Sequence, residues 1–459
     1  MNVITGEFDN MDIVTQFRAL RKNYGDIVKM DGLLNRRPCV FLFSPELCEN
    51  MYRTDGPWPM RISLESLLCY RKNREHIYRG QYGLAVSQGK PWQELRTKVN
   101  AHMMQPQAIE AHISQISEVT YEFVKMMRAL RNPETHELPS NFKNELFKWS
   151  LECSSTIALN CRLGCLNRNL APDSEPQVMI NSVVKIFNLL HRLENLPSMW
   201  KVYNTPDLKR LFHLLDTINE TSQKYIEQAK LKFQWKTHNY TQDCSVLQKL
   251  LRIDERTAHT MALDMLMGGI DTVGNTAAGL LYHIAISPDV QEHLRREVTT
   301  LLPDKDSPIT IDILNQSRYA KACIKESMRM LPVTSGVLRT MRQDVSIGGY
   351  RIPAGFNTIA CHQLISMDPT QFPQPDKYFP GRWLRENSLF KKAHPFAYMP
   401  FGFGIRMCIG RRFAEMELQT LLLAVVRNFR IEWHHEPLKF EAQVINTIVS
   451  PMQFKLIDV

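Results

Sequence analysis

Apolar residues recur every three to four positions along most of the chain, which is the spacing of an amphipathic α-helix. The segments 108–130 and 205–233 follow this pattern most regularly and predict helices with one face on a core. Two further helices are predicted at about 255–286 and 411–429, and the second is apolar on most of its faces. Helices therefore dominate the expected fold.

Segments with a strand pattern are few and short. They lie at 26–43, 344–360 and 454–459, and Gly348-Gly349 marks a hairpin turn in the second of them. Proline and glycine concentrate between 352 and 410, and a long irregular stretch inside a compact protein is usually functional. Because no internal repeat or low-complexity linker is visible, residues 1–459 are predicted to form one domain, mainly α with a small β component (α+β).

Composition narrows the class of protein. No stretch holds the roughly 18 consecutive apolar residues of a membrane-spanning helix. Lysine and arginine number 56 against 47 acidic residues, and this net charge of +9 favours an acidic partner or an anionic membrane surface. The basic residues are dispersed and form no aromatic-interleaved stripe, so nucleic acid is not an expected partner. The ten cysteines show no C-x-x-C spacing, which argues against a zinc site or a disulfide framework.

The segment "PFGFGIRMCIG" at 400–410 carries the clearest chemical signal. Its three glycines allow positive φ and a close approach of the backbone to a flat ligand. Cys408 stands just before the predicted helix at 411, whose N-terminal amides and dipole favour a thiolate. A thiolate against a dry, aromatic surface suits the iron of a haem, although a lone Cys-x-Gly would more often be a glycine-rich turn with a core cysteine.

This segment resembles the haem loop F-x-x-G-x-R-x-C-x-G of the haem-thiolate monooxygenases, the cytochrome P-450 family. Phe401, Gly404, Arg406, Cys408 and Gly410 match that pattern. The resemblance implies haem b with Cys408 as its metal ligand, Phe401 shielding the sulfur and Arg406 meeting a propionate. It also implies a single-domain fold that holds the haem between a long central helix and the cysteine loop.

A second match is "KESMR", in which Glu326 and Arg329 are neighbours on a predicted helix. Most such pairs are exposed and contribute at most about 1 kcal/mol. The resemblance adds Arg382 of "FPGRW" as a third member. These three side chains are expected to be buried and to form a structural clamp that supports the haem loop.

A third match, "MGGIDTVGN", lies within the predicted helix 255–286. Two glycines inside a helix each cost about 1 kcal/mol relative to alanine, so they need a reason. Tight helix packing is one. The resemblance implies another, in which Gly268 and Gly269 leave room over the haem and loosen the helix, while Asp271 and Thr272 deliver the protons that oxygen activation consumes.

Weaker matches concern the haem carboxylates. The resemblance implies that Trp92 and Arg96 of "WQELR" hold one propionate and that Arg339 meets a propionate as well. Each residue alone is more often surface or core. Together with Arg406 they would supply cations for two carboxylates that would otherwise be buried unpaired.

Electrons must come from a partner, because the chain has no flavin or nicotinamide motif. The mitochondrial branch of the family uses an acidic, adrenodoxin-like [2Fe-2S] ferredoxin. The chain matches the basic residues of that branch at Lys321, Lys325, Arg411 and Arg412, which would otherwise be a solvated basic face. The resemblance implies a mitochondrial location, on the matrix side of the inner membrane.

Two observations complicate this location. The opening segment "MNVITGEFDNMD" shows no import presequence, so we expect an internal start, an incomplete N-terminus or a mature form. Peripheral membrane contact is suggested at 194–203, where Leu196, Met199 and Trp200 are apolar.

The overall likeness is to the insect mitochondrial subgroup, which implies insertion of one atom of O2 into a lipophilic steroid, ecdysteroid or xenobiotic. A mostly apolar pocket is expected from 57–90, Met265, 333–337 and 445–448. The alternatives are a haem-dependent isomerase or dehydratase, and a haem-binding sensor without catalysis. The Asp271-Thr272 pair argues against the first alternative, and the basic residues argue against the second.

Overall fold

The computed structural model describes residues 13–32, 37–168, 170–195, 198–234, 245–387 and 392–459. The helices are α1 Ile13–Tyr24, α2 Pro45–Arg53, α3 Glu65–Lys72, α4 Glu75–Tyr78, α5 Gly89–Met104, α6 Pro106–Glu110, α7 Ile113–Leu130, α8 Phe142–Ala158, α9 Glu175–Glu194, α10 Pro206–Gln234, α11 Val246–Ile253, α12 Glu255–Ala285, α13 Pro288–Leu301, α14 Ile311–Gln316, α15 Arg318–Met330, α16 His362–Ile365 and α17 Arg411–Asn428. The strands are β1 Ile27–Met30, β2 Cys39–Leu42, β3 Val337–Thr340, β4 Val345–Ile347, β5 Tyr350–Ile352, β6 Asn357–Ala360, β7 Phe429–Glu432, β8 Phe440–Ala442, β9 Asn446–Ile448 and β10 Lys455–Asp458. The prediction of a mainly helical fold with a small β component is confirmed.

The predicted helix at 108–130 is two helices, α6 and α7. His112 lies between them and is fully buried, and its ring Nε2 accepts a hydrogen bond from the Val246 N–H of α11 at 3.3 Å. This tertiary contact turns the chain at a point where the apolar repeat itself continues. The other long predictions agree with α10, α12 and α17 to within a few residues.

The largest sheet has four strands in the order β1-β2-β6-β3. Strands β2 and β6 are parallel, whereas the two outer pairings are antiparallel. Strands β4 and β5 form the predicted hairpin, with Ile347 opposite Tyr350 across the two glycines. The sheet places Arg339 of β3 opposite Thr358 of β6, and this register aims the arginine toward the site described below.

The long helix α12 runs through the centre of the molecule and packs on α8, α15 and α17. It begins at Asp254, whose carboxylate accepts the Thr257 N–H at 2.7 Å and caps the helix. Most of its side chains are buried, so it forms part of the core rather than a surface. Within the described residues, none of the helices combines the length and hydropathy needed to cross a membrane.

Candidate active site

The cysteine loop is closed by its own backbone. The Cys408 N–H donates to the Phe401 carbonyl at 2.9 Å, and the Met407 N–H donates to the Gly404 carbonyl at 3.1 Å. Gly402 and Gly404 have φ of 71° and 75°, a conformation that glycine tolerates best. Gly410 differs from the expectation, because its φ of −83° is open to any residue. Cys408 therefore lies near the end of the loop, three residues before the first residue of α17.

The sulfur of Cys408 borders an interior space. The side chain is exposed, yet the protein atoms around it raise the pKa of the thiol by desolvation. The Gly410 N–H, which hydrogen-bonds the sulfur, lowers that pKa but does not outweigh burial. In the protein alone, the helix terminus was expected to lower the pKa of Cys408, but this effect is smaller than the rise caused by burial. Coordination to a metal ion would deprotonate the thiol outright.

Phe401 is half-buried beside this loop. Its ring centroid lies 5.8 Å from the guanidinium carbon of Arg411, and the ring packs against the main core. The side chain is therefore held in place next to the loop that ends in Cys408.

The two glycines of α12 face different surroundings. Gly268 is exposed in the middle of this mostly buried helix, and a Cβ there would meet no atom within 4 Å. At Gly269 a Cβ would lie 2.2 Å from the Ser154 hydroxyl of α8. Gly268 thus faces open space, whereas the expectation for Gly269 is corrected: its missing side chain permits close packing of two helices.

The helix itself is not loosened at these glycines, contrary to expectation. It is α-helical without interruption from Glu255 to Ala285. The Thr272 hydroxyl donates to the Gly268 carbonyl one turn earlier, as threonines in regular helices commonly do. The half-buried Thr272 therefore lies beside the open space at Gly268.

Asp271 points into the protein and is 2 % exposed. Burial raises its pKa to about 6, while the Lys143 charge and a hydrogen bond from Asn275 Nδ2 at 2.7 Å act in the opposite direction. A carboxyl with this pKa exchanges protons near neutral pH. Neither Lys143 nor Asn275 was predicted as a partner of Asp271: Asn275 is the last residue of the quoted motif and lies one turn further along α12, whereas Lys143 belongs to no motif and reaches Asp271 only through the fold.

Four arginines converge beside the loop. Arg96, Arg339 and Arg406 are buried, and the predicted set lacked the fourth, Arg61. Burial and then neighbouring arginines lower the pKa of Arg406 to about 8 and that of Arg61 to about 10. Such lowered values indicate positive charge that the protein does not fully compensate.

The partners of these arginines leave two donors free. Asp55 pairs with Arg339 at 2.8 Å. Arg339, which was also predicted to meet a propionate, therefore already has an acidic partner in the chain. The Nε atoms of Arg61 and Arg406 are buried and find no hydrogen-bond partner among the described residues. An acceptor with negative charge is therefore needed here, and the two propionates of a haem fit that requirement.

Trp92 and Arg96 both project from α5 toward the loop. The Trp92 ring lies 4.7 Å from the guanidinium carbon of Arg406, and Arg96 Nη1 donates to the Met407 carbonyl at 3.0 Å. Arg61 and Arg96 both act electrostatically on Cys408, and Arg61 also acts on Asp264, one turn before Gly268. The arginines, the cysteine loop and the open side of α12 therefore border one space.

Glu326 lies at the centre of a buried ion-pair network. Its carboxylate accepts from Arg329 Nε at 3.0 Å and from Arg382 Nε at 2.8 Å, and none of the three side chains is more than 6 % exposed. Two unpredicted N–H groups complete it, the Trp383 indole at 2.9 Å and the Phe379 backbone at 3.1 Å. The network ties α15 to the irregular stretch before the cysteine loop.

The four predicted basic residues differ in exposure. Lys325, Arg411 and Arg412 are exposed. Lys321 is half-buried and donates to the Asn315 carbonyl at 3.1 Å, and burial together with Lys325 lowers its pKa. Glu415 pairs with Arg411 at 2.9 Å and also acts on Lys321, which places the ends of α15 and α17 side by side.

Comparison with known proteins supplies the family. The family model for cytochrome P450 matches residues 1–456. The chain is 36% identical to cytochrome P450 CYP12A2 of Musca domestica, over 99% of the chain and 88% of that relative. It is 35% identical to the probable mitochondrial cytochrome P450 12b2 of Drosophila melanogaster, over 98% and 85%.

A third relative is the mitochondrial cytochrome P450 12b1 of Drosophila acanthoptera, 36% identical over 97% of the chain and 84% of the relative. Two of these three proteins are named mitochondrial, which supports a mitochondrial location for the chain. From the match over residues 1–456 and from these relatives, the chain belongs to the cytochrome P450 family of haem-thiolate monooxygenases.

Proposed function

We propose that Cys408 would bind the iron of the haem b that this family uses, and that Arg61, Arg96 and Arg406 would hold its propionates. The uncompensated guanidinium groups of Arg61 and Arg406 carry this proposal, because they need negative charge in the space beside the sulfur. Arg339 acts from the edge of this cluster, since Asp55 already neutralises it. Bound haem supplies the activation of dioxygen, which a thiolate ligand assists by donating electron density to the iron.

Thr272 and Asp271 are proposed to handle protons on the opposite side of that space. The Thr272 hydroxyl is held by the Gly268 carbonyl, so its oxygen is fixed in position and can accept a hydrogen bond at the open face of α12. Asp271, with a pKa of about 6, can take a proton from the protein interior and release it near neutral pH. Asn275 holds the carboxyl in place, and the positive charge of Lys143, whose ammonium donates to Thr447 and Ile448, acts on it electrostatically.

Replacing Thr272 with alanine should leave haem content unchanged and lower the yield of product per NADPH roughly tenfold, because one fixed hydroxyl of the proton path is lost. The measurement compares product, peroxide and NADPH consumed in the same reaction, and peroxide should rise as product falls. Thr217→Ala is the matched control, since that hydroxyl makes the same contact one turn back, on α10. An unchanged yield in Thr272→Ala would remove Thr272 from proton delivery.

The electrons are proposed to come from an adrenodoxin-like [2Fe-2S] ferredoxin that docks on Lys321, Lys325, Arg411 and Arg412. The exposure of three of these residues and their placement around the loop side of α15 and α17 support this surface. Opposite charge on a partner would steer it to this surface, and the encounter would weaken as salt is added. This docking surface lies close to the start of α17, and so to Cys408.

Charge reversal tests the docking surface. Lys325→Glu should raise the KM for ferredoxin about tenfold or more at low salt, with little change in kcat at saturating ferredoxin, because the substitution weakens the encounter and not the chemistry. Lys209→Glu, on the exposed side of α10, changes the net charge by the same amount and should leave KM unaltered. Equal effects of the two variants would rule out a specific docking site at Lys325.

The substrate is proposed to be a lipophilic steroid, ecdysteroid or xenobiotic that receives one oxygen atom. Assay of NADPH oxidation with purified ferredoxin and its reductase, together with product formation over a panel of such compounds, tests this class. Haem-dependent isomerisation would give product without NADPH consumption, and a sensor would give no product.

A location on the matrix side of the inner membrane, with peripheral membrane contact, completes the proposal. In the segment predicted for that contact, Leu196 lies outside the described residues. Met199 is 49% exposed, and Val202 and Tyr203 extend the apolar surface. Trp200 is half-buried, and its indole N–H donates to the Leu193 carbonyl at 3.0 Å, so it is less available to a membrane than expected.

A further inference from the structure

A cavity of about 180 Å³ lies between α1, α12, α16, the segment after α15 and the β8–β9 hairpin. Its walls include Thr276, Pro332, Val333, Gln363, Phe440 and Asn446. Most of this lining is apolar, but it includes the amides of Asn275, Gln363 and Asn446. The Asn275 amide is already paired with Asp271 and with the Ile448 N–H, which leaves Gln363 and Asn446. Asn446 lies in the segment 445–448 that was predicted to line the substrate pocket, whereas Gln363 was not predicted.

The two amides are hydrogen-bonded to each other in a fixed orientation. Asn446 Nδ2 donates to the Pro332 carbonyl at 2.7 Å and to Gln363 Oε1 at 2.9 Å. The opposite orientation of Asn446 would set its oxygen against the Pro332 carbonyl. Because Pro332 fixes Asn446 in this way, Asn446 in turn fixes which atom of Gln363 is the oxygen.

This arrangement leaves one donor and one acceptor unused. Gln363 Nε2 and Asn446 Oδ1 make no hydrogen bond within the described residues, and neither atom is fully buried although the side chains are only 8% and 7% exposed, so both open on the cavity. Polar atoms of buried side chains are normally paired. A hydroxyl group satisfies both at once, since it accepts from the amide N–H and donates to the amide oxygen.

The cavity is close to the space proposed for the reaction. The Thr276 hydroxyl donates to the Thr272 carbonyl at 2.7 Å, so the two threonines are successive turns of α12. At 1.5 Å per residue, Thr276 is roughly 6 Å from Thr272 and roughly 12 Å from Gly268 along the helix. The lining also includes Asn275, whose Nδ2 donates to Asp271 at 2.7 Å, so the cavity adjoins the residues proposed to handle protons.

We propose that Gln363 and Asn446 form a polar subsite that binds the hydroxyl group of a lipophilic alcohol and so orients it for oxidation at a carbon further along the chain or ring system. This subsite rests on the proposed function, because it supplies specificity for that same reaction space. It narrows the substrate class from lipophilic compounds in general to those that carry a hydroxyl remote from the oxidised carbon.

The test uses three ligands of similar length, 1-decanol, decyl methyl ether and undecane, with the ferric holoenzyme. Dissociation constants come from the shift of the haem absorbance as each ligand is added. In Gln363→Met, which keeps the volume but loses both polar atoms, affinity for 1-decanol should fall about tenfold and affinity for undecane should not fall. Gln107→Met, at an exposed glutamine of α6, is the matched control and should change none of the three constants.

A second variant covers the case in which Gln363→Met does not fold. Gln363→Glu keeps an oxygen for Asn446 Nδ2 and replaces the donor with an acceptor, so decyl methyl ether should lose more affinity than 1-decanol, which can donate to the new oxygen. Equal losses for all three ligands, or none for the alcohol, would overturn the subsite and leave a role in packing or in holding water. Failure of the proposed function is distinguishable, since the reduced carbon monoxide complex would then lack the absorbance of a thiolate-bound haem.

Discussion

Replacing Cys408 with serine is expected to abolish the characteristic absorbance band of the reduced carbon monoxide complex and all product formation. A serine hydroxyl has nearly the same shape as the thiol but is not a thiolate, so the electron donation to iron would be lost. The loop should still fold, because it is closed by the backbone bond from residue 408 to the Phe401 carbonyl and not by the sulfur. The measurement is the spectrum of the purified variant after reduction and exposure to carbon monoxide.

Cys69→Ser provides the control for this result. Cys69 is a half-buried free thiol on α3, so its loss changes the cysteine content without touching the loop. This variant should retain the band at full intensity. If Cys408→Ser also retained the band, another residue would be the iron ligand. The assignment of the arginine cluster to the propionates would then fail as well, because it depends on a haem bound beside Cys408.

The sequence predicted those features that depend on residues close together in the chain. The period of apolar residues located α10, α12 and α17, and the order of residues within 400–410 identified the cysteine loop. Both rest on local patterns that fix backbone geometry, as at Gly402 and Gly404. Residues in such patterns could be named before any tertiary contact was known.

Features that depend on tertiary contacts were missed. Arg61 and Asp55 belong to no motif, and they reach the cluster only because the segment after α2 folds against the cysteine loop. The sequence also could not distinguish Gly268 from Gly269, since one residue along a helix rotates the Cβ direction by about 100°. Only the position of α8 decides that Gly269 is a packing residue.

Tertiary contacts also make the four basic residues differ from one another in a way that the sequence does not show. Four positive side chains were predicted as one surface, but the structure pairs Arg411 with Glu415 and half-buries Lys321. An intramolecular pair of this kind reduces the charge available to a partner without removing it. Lys325 and Arg412 are therefore the stronger candidates for long-range steering, which is why Lys325 is the position chosen for charge reversal.

The largest loss of stability is expected from Glu326→Gln. The substitution keeps the size of the side chain but removes the negative charge that Arg329 and Arg382 share in a fully buried site. Breaking a buried pair leaves uncompensated charge in the interior and typically costs about 3–5 kcal/mol. Since whole domains are stable by only about 5–15 kcal/mol, little folded protein should accumulate, and what does should bind less haem.

Thermal unfolding and haem content per chain measure this effect, with Glu94→Gln as the matched control. Glu94 pairs with Lys90 at 3.8 Å, where the side chains are 60% and 72% exposed, so the loss there should be under about 1 kcal/mol. Combining Glu326→Gln with Arg382→Met should cost less than the sum of the two single changes, because the second removes a charge that the first left unpaired. Strictly additive losses would mean that Glu326 and Arg382 act independently, and the clamp would then be a set of separate hydrogen bonds to the irregular stretch, such as the one from Arg382 Nη1 to the Pro373 carbonyl at 2.8 Å.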